Sequence, residues 1–255
     1  MKIFISKYNK VSKKSIEEIL LNFNMVGQSF FKDDKGRRNS IKVVEREGKK
    51  LNVKCFKRPN YINRYVYTRL RKSKAKRSFE YAEKLIEMGI GTPNPIAYAE
   101  ESINGALNKS FYISEHLDYD LTIRDIDLSK PGHEDILRAF TRFTYNLHEN
   151  KIVFLDHSGG NTLINLNDGN HEFFLVDLNR MIFKTLSFND RMKNFERLTS
   201  HRDQVEIMAK EYARLLDMPE NEVFNSMWSY VDSFFTNRKK NRNVKHKLKS
   251  VFGIK

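Results

Sequence analysis

The chain has 255 residues, a formal net charge of +14, and 40% hydrophobic against 31% charged residues. This balance is globular, and the length suffices for one large domain or two lobes. The longest apolar runs, such as Phe173–Val176, are far too short to span a bilayer, and the opening MKIFISKYNK lacks the apolar stretch and small-residue cleavage site of a secretory signal.

Cys55 is the single cysteine, so no intramolecular disulfide framework exists; this suits a reducing cytoplasm. It lacks metal-type spacing and reads as a strand packing residue. The positive charge implies an anionic partner: nucleic acid, a phospholipid surface or a phosphorylated substrate.

In chain order, residues 16–21 predict a short helix, and QSFFK (28–32), SIKVVE (40–45) and KLNVKCFK (50–57) predict three successive strands. Gly48 in REGK marks a tight turn between the last two. From Lys74 to Met88, Ala75, Phe79, Ala82 and Ile86 recur at helical spacing, with Gly89 as the C-terminal stop. Pro93 and Pro95 break that pattern. PIAYAEES and SFYISEHL then predict two more strands joined at Asn104-Gly105, and a domain break falls near Asp118. This divides the chain into 1–117 and 118–255. The second half is expected to be helical apart from one hairpin. Ile136, Phe140, Phe143 and Leu147 line one helix; Val205, Met208, Ala209, Tyr212 and Leu216 line another. A third begins at Pro219, and its Phe224, Met227, Trp228, Val231 and Phe235 read as core.

The chemistry concentrates in IVFLDHSGGNTLIN (152–165) and EFFLVDLNRM (172–181). The runs 162–166 and 172–176 flank Asn167-Asp168-Gly169-Asn170, a hairpin signal because Gly accepts the positive φ of a tight turn. A hairpin brings the residue before its first strand beside the residue after its second. Asn161 and Asp177 are therefore expected together, offering oxygen ligands to a hard cation such as Mg²⁺. Asp156, five positions before Asn161, faces the same point from the entering loop. In a phosphotransferase one Asp orients the attacking hydroxyl while the Asn and the second Asp hold metal on nucleotide phosphates.

Three strands, a helix, two strands and a helical half carrying Asp…Asn…Asp follow the order of a protein-kinase-like α+β fold. That order calls for a phosphate-contacting lysine on the third of those strands and a helix glutamate to brace it. Alternation puts Val53 and Cys55 on one face and Lys54 on the other, so Lys54 is the nucleotide lysine, with Lys57 its competitor. Glu80 is the helix glutamate and Glu83 the alternative; Glu80 also stands four residues before Lys84, an ordinary helix-surface pair. The loop FFKDDKGRRNS has one glycine, Gly36, in place of G-x-G-x-x-G, with Lys35, Arg37 and Arg38 supplying charge. Phe154 and Leu155 stand where protein kinases carry His and Arg, and no A-P-E segment follows. Both features argue against a phosphorylation-regulated protein kinase. His157 and His171 flank the site without forming a paired ligand pattern, and His148 reads as a cap or packing residue.

NVKCFK, SFEYAEKLIEMGIGTPNPIAY, LHENKIVFLDHSGGNTLI and FFLVDLNRM together resemble the Kdo/WaaP lipopolysaccharide kinase family, and DLNR in place of Asp-Phe-Gly suits that group. The resemblance spans about residues 40 to 182. It implies a two-lobed kinase-like fold with an antiparallel sheet and helix in the N-lobe, ATP with Mg²⁺, and a lipid-linked sugar hydroxyl as acceptor. By position, Asp156 is the implied catalytic base, Asn161 and Asp177 the metal ligands, Lys54 the nucleotide lysine and Glu80 its partner. Gly36, Glu115 and Leu117 complete the nucleotide-binding candidates.

The expected acceptor is Kdo or heptose of the lipopolysaccharide inner core. An aminoglycoside-type or protein kinase of the same fold is the alternative, though a cationic acceptor would be repelled by the net charge. A nucleic-acid module is the reading from a different class: the segment Arg64–Arg77 interleaves basic residues with Tyr65, Tyr67 and Leu70. It leaves the Asp–Asn–Asp hairpin unexplained. The basic tail 237–255 places Val244, Leu248, Val251 and Phe252 at i, i+4, i+7 and i+8, with Lys245, Lys247 and Lys249 flanking or opposing them. That is the layout of an interfacial helix, so peripheral attachment to an anionic membrane at the cytoplasmic face is expected; the alternative is that the stripe packs on the helical half and the lysines are solvated.

Overall fold

The computed structural model describes residues 1–29, 39–56, 58–59, 71–167 and 169–251, with side chains as far as Val244. Gly36, Lys57 and the segment 60–70 lie outside them, as do the side chains of the tail from Lys245 onward. The chain forms two compact units. The first comprises Met1–Asp118 and Phe174–Arg180; the second comprises Tyr119–Phe173 and Met181–Lys255.

The first unit is built on a six-stranded antiparallel sheet of β1 (Lys2–Ile5), β2 (Gln28–Ser29), β3 (Asn39–Arg46), β4 (Lys49–Phe56), β5 (Pro95–Ile103) and β6 (Ala106–Glu115), in the order β1-β5-β6-β4-β3-β2. Two hairpin turns set its registers. Glu47 and Gly48 have φ of 52° and 71°, and Asn104 and Gly105 have 51° and 71°. Positive φ at both central positions matches the twist of the flanking strands. Helix α1 (Lys13–Leu21) starts at Ser12, whose side chain accepts from Ser15 N; its Ile16, Ile19 and Leu20 pack on the sheet face carrying Leu51, Val53 and Ile113. Helix α2 (Lys74–Glu87) starts at Ser73, which accepts from Lys76 N. Its Ala75 and Phe79 pack on the other face with Phe56 and Tyr98. The two faces of β4 are thereby assigned: Leu51 and Val53 belong to the α1 side, Phe56 to the α2 side, and Lys54 alternates with them onto the α2 side. Burial on the α1 side raises the Cys55 thiol to about 11, the behaviour of an inert packing residue.

Two elements of the fold depart from the sequence expectation. The strand carrying Lys54 is the fourth in the chain, because β1 escapes detection: its exposed–intermediate–exposed–exposed pattern shows no alternation. The second half is also less purely helical than expected. Short strands β7 (Leu121–Thr122), β8 (Ile152–Phe154) and β11 (Met181–Phe183) accompany the hairpin strands β9 (Thr162–Asn165) and β10 (Glu172–Leu175). Runs of two or three residues are too brief to display a period of two.

In the second unit β8 pairs antiparallel with β11, and β7 pairs with β9, in a sheet of order β10-β9-β7. Helix α3 (His133–Glu149) carries Ile136, Leu137 and Phe140 into a core shared with α5 (Arg202–Leu216) and α6 (Glu220–Val251). From α5 come Val205, Met208, Ala209 and Tyr212; from α6 come Val223, Met227 and Val231. Phe224, Trp228 and Phe235 are half-buried against the same core. The short helix α4 (Phe188–Lys193) is fixed by a reciprocal cap between Ser187 and Asp190. His148 is buried inside this core and is not a helix cap. Its Nδ1 lies 2.7 Å from the Tyr212 hydroxyl and its Nε2 3.1 Å from Asn194 Oδ1. Among the described residues no helix is long and apolar enough to cross a membrane.

Candidate functional site

In the first unit the segment 174–180 is anchored by backbone. Leu175 N donates to Gly91 O at 2.9 Å, and the Thr92 hydroxyl donates to Leu175 O at 2.8 Å. Two residues on, Asp177 adopts φ 60°, the left-handed region that non-glycine residues enter sparingly. Its Oδ1 accepts from Lys54 Nζ at 2.7 Å and from Asn179 Nδ2 at 2.6 Å. Lys54 is largely enclosed, its side chain 12% exposed, with Nζ 5.3 Å from the Phe56 ring centroid. The structure thus unites two residues 123 positions apart that sequence reasoning assigned to nucleotide and metal.

Glu80 is placed differently from the expectation. Its Oε2 accepts from Lys72 Nζ at 2.7 Å, whereas Lys54 pairs with Asp177. Glu83 accepts instead from the Ser6 hydroxyl at 2.7 Å. Glu115, at the end of β6, accepts from Asn94 Nδ2 at 2.8 Å and lies 3.6 Å from Lys49 Nζ; Leu117 follows it, half-buried.

In the second unit β8 delivers the loop 155–161. His157 N donates to Phe154 O, Asn161 N to Ser158 O, and Asn194 Nδ2 to Phe154 O, so the loop is tied at both ends. Asp156 Oδ1 accepts from Arg197 Nη1 at 2.8 Å, and the same nitrogen reaches Leu155 O at 3.3 Å. The Arg197 guanidinium also lies over the Phe234 ring, 5.1 Å from its centroid. Sequence reading did not find Arg197, which is 41 positions from its partner and carries no local signature. Asn161 Nδ2 donates to Asp156 O at 2.8 Å. That bond fixes the orientation of the amide, whose carboxamide oxygen is the atom suited to a hard cation.

The glycines of DHSGGN serve close approach. A Cβ on Gly159 would lie 2.9 Å from Leu198 O, and one on Gly160 would lie 2.8 Å from Arg124 Nη2. Neither glycine has a positive φ, so the need is for space alone. His157 is enclosed by Phe140 and Phe154, and burial pushes its imidazole down to about 3. A buried neutral ring packed in this way is structural. Among the described residues no group of three His, Cys, Asp or Glu could hold a metal alone. Magnesium in a nucleotide site needs fewer protein ligands, since phosphate and water oxygens fill the remainder. In the first unit the Asp177 carboxylate is an oxygen donor of that kind, and in the second the Asn161 carboxamide oxygen is another.

An antiparallel sheet with α2 on the face of Lys54, a Lys54–Asp177 pair and a helical unit carrying Asp156 and Asn161 define a protein-kinase-like phosphotransferase fold. Solved structures agree. "WaaP in complex with acyl carrier protein" superposes with a TM-score of 0.61 at 15% identity, covering 94% of this chain and 99% of that one. An aminoglycoside-3'-phosphotransferase of type VIII gives 0.57 at 12% identity, covering 86% and 98%. The Rio2 kinase from Chaetomium thermophilum, solved as an ADP/Mg²⁺-phosphoaspartate complex, gives 0.50 at 14%, covering 89% and 75%. The profile of the lipopolysaccharide kinase (Kdo/WaaP) family matches residues 22–218, and the chain belongs to that family. No curated protein sequence matches it significantly.

Proposed function

We propose that this kinase transfers a phosphoryl group from Mg-ATP to a sugar hydroxyl, Kdo or heptose, of the lipopolysaccharide inner core. Family membership supplies the reaction class. The observation that carries the assignment of roles is the Lys54–Asp177 pair at 2.7 Å, a cation and a carboxylate held ready for phosphate and metal.

In this reading Lys54 contacts nucleotide phosphates, while Asp177 and Asn161 supply oxygen ligands to Mg²⁺. The metal neutralises charge on the phosphates, and phosphoryl transfer depends chiefly on such positioning and neutralisation. Asp156 orients the acceptor hydroxyl and accepts its proton, with Arg197 fixing the carboxylate. Glu115 and Leu117 line the nucleotide base. Glu80 braces Lys54 once nucleotide is bound, a role that requires it to leave Lys72. The basic tail holds the enzyme to an anionic membrane on the cytoplasmic side, where a lipid-linked acceptor resides.

The test is Mg-ATP turnover with Kdo-lipid A against lipid A lacking Kdo, with a heptose-bearing core as a third acceptor. Phosphorylation only of acceptors carrying Kdo or heptose supports the reading. Equal turnover of lipid A lacking both sugars, or of a free aminoglycoside, overturns it.

A further inference from the structure

The second unit carries a groove of about 690 Å³ between the α4 region and one stripe of α6. This volume lies in the usual range for small-ligand sites. Lys193 and Glu196 form one side; Phe234, Arg238, Asn241 and Arg242 form the other. Positions 234, 238, 241 and 242 recur at helical spacing, so a single face of α6 looks into the groove. Three cations stand there against one carboxylate, and Glu196 also lies 3.7 Å from Arg197 Nε. The groove is therefore electropositive on balance.

Its position matters as much as its charge. Phe234, which lines it, supports the guanidinium of Arg197, and Arg197 in turn holds Asp156 Oδ1. One residue layer separates the groove from the proposed base. The buried positions of α6 end at Val231, and Arg238 and Arg242 are exposed. Packing of the helix does not account for two arginines four residues apart on this face. Asn241 beside them adds a carboxamide able to donate to and accept from hydroxyls.

We propose that this groove docks the acceptor through its negative charge: a sugar bearing a carboxylate or phosphate, gripped by Arg238 and Arg242 with Lys193 opposite. Arginine forks match both anions in bidentate geometry. The proposal rests on the assignment of Asp156 as the base, since that is what makes an adjacent site an acceptor site. It reassigns the first turns of the basic tail from membrane attachment to substrate recognition.

The experiment is saturation-transfer NMR on the full-length protein, with free Kdo as the anionic probe and mannose as the neutral one. Wild type is expected to show transfer to Kdo and not to mannose. Arg238→Ala/Arg242→Ala should lose at least about fivefold of the Kdo signal, and Lys substitutions at both positions should restore part of it. Lys239→Ala/Lys240→Ala removes the same charge from the same helix away from the groove and should bind Kdo as wild type does. Equal transfer to mannose, unchanged Kdo binding in the arginine variant, or equal loss in the lysine control overturns the proposal. Failure of the kinase reading is distinguishable: Kdo would still bind and respond to the arginine variant while Kdo-lipid A went unphosphorylated.

Discussion

Arg197 donates from Nη1 to Asp156 Oδ1 at 2.8 Å while its guanidinium rests on the Phe234 ring. The carboxylate assigned as base is therefore held by a side chain that α6 positions. Protein kinases place an arginine immediately before this aspartate; here Leu155 occupies that position. The cation comes instead from beyond α4.

Removing that cation should weaken catalysis without unfolding the protein. A charge-assisted hydrogen bond is worth roughly 1.5–3 kcal/mol, so Arg197→Ala should lower kcat about 10- to 100-fold. Arg197→Lys should recover part of this, since one donor suffices for the single bond to Oδ1. Steady-state kinetics with a thermal melt separates the effects. Wild-type kcat in Arg197→Ala would leave the ion pair without a role in positioning Asp156.

Lys54 and Asp177 form the corresponding pair in the first unit. Lys54→Ala should raise the KM for Mg-ATP or depress turnover far more than Lys57→Ala. Asp177→Ala should reduce turnover by orders of magnitude, because metal neutralisation dominates phosphoryl transfer. The reverse ranking of the two lysines would mean that the β4 register does not select the nucleotide ligand.

What the sequence disclosed and what it hid divide along contact range. The β9–β10 hairpin, with Asn161 just before it in the chain and Asp177 just after, is legible because strand alternation and turn chemistry act over a few residues. Lys54 is legible because Val53 and Cys55 alternate with it. Arg197 is not, since nothing near it in the chain announces a partner so distant. Glu80 illustrates the same limit: helix spacing identified a plausible glutamate, and Lys72 just before the helix captured it. The positive φ of Asp177 was invisible because Asp, unlike Gly, gives little warning of that conformation.

The two glycines of the 155–161 loop should respond unequally to alanine. At Gly159 the new Cβ meets a backbone carbonyl 2.9 Å away, which cannot step aside cheaply. At Gly160 it meets the far end of the Arg124 side chain, which can. Gly159→Ala should cost about 1–3 kcal/mol, a fall of several degrees in Tm for a chain of this size, and Gly160→Ala well under that. Equal melting temperatures would contradict the close approach to Leu198.

His148 gives a pH dependence with a definite sign. Burial, reinforced by the nearby Arg191 charge and opposed by Asn194, lowers its pKa to about 4 from an ordinary 6.5. The folded state holds the neutral ring. Its stabilisation is complete above pH 6.5 and is lost as pH falls toward 4, since the unfolded chain takes up the proton first. The shift corresponds to roughly 3 kcal/mol. Buried His157, lowered by the same cause, adds to the same acid limb. Denaturant titrations from pH 7.5 to 4.5 should show steep loss of stability, shallower in His148→Gln. Parallel slopes for the two proteins would refute a neutral buried His148.

The two roles proposed for the tail can be separated by where it is cut. Arg238, Asn241 and Arg242 line the groove, whereas 245–255 contribute Lys245, Lys247, Lys249 and Lys255 beyond it. Each basic residue near an anionic surface contributes roughly 1 kcal/mol, so these four can sustain reversible attachment. Val244, half-exposed at 55%, begins the apolar stripe predicted to enter the interface. Because the buried positions of α6 end at Val231, deleting 245–255 should spare the described core. The truncated protein should sediment less with phosphatidylserine-containing liposomes, most visibly at low salt, while retaining Kdo binding in the groove. It should slow turnover of Kdo-lipid A in vesicles more than basal ATP hydrolysis. Undiminished liposome binding at low salt would assign membrane attachment to another surface.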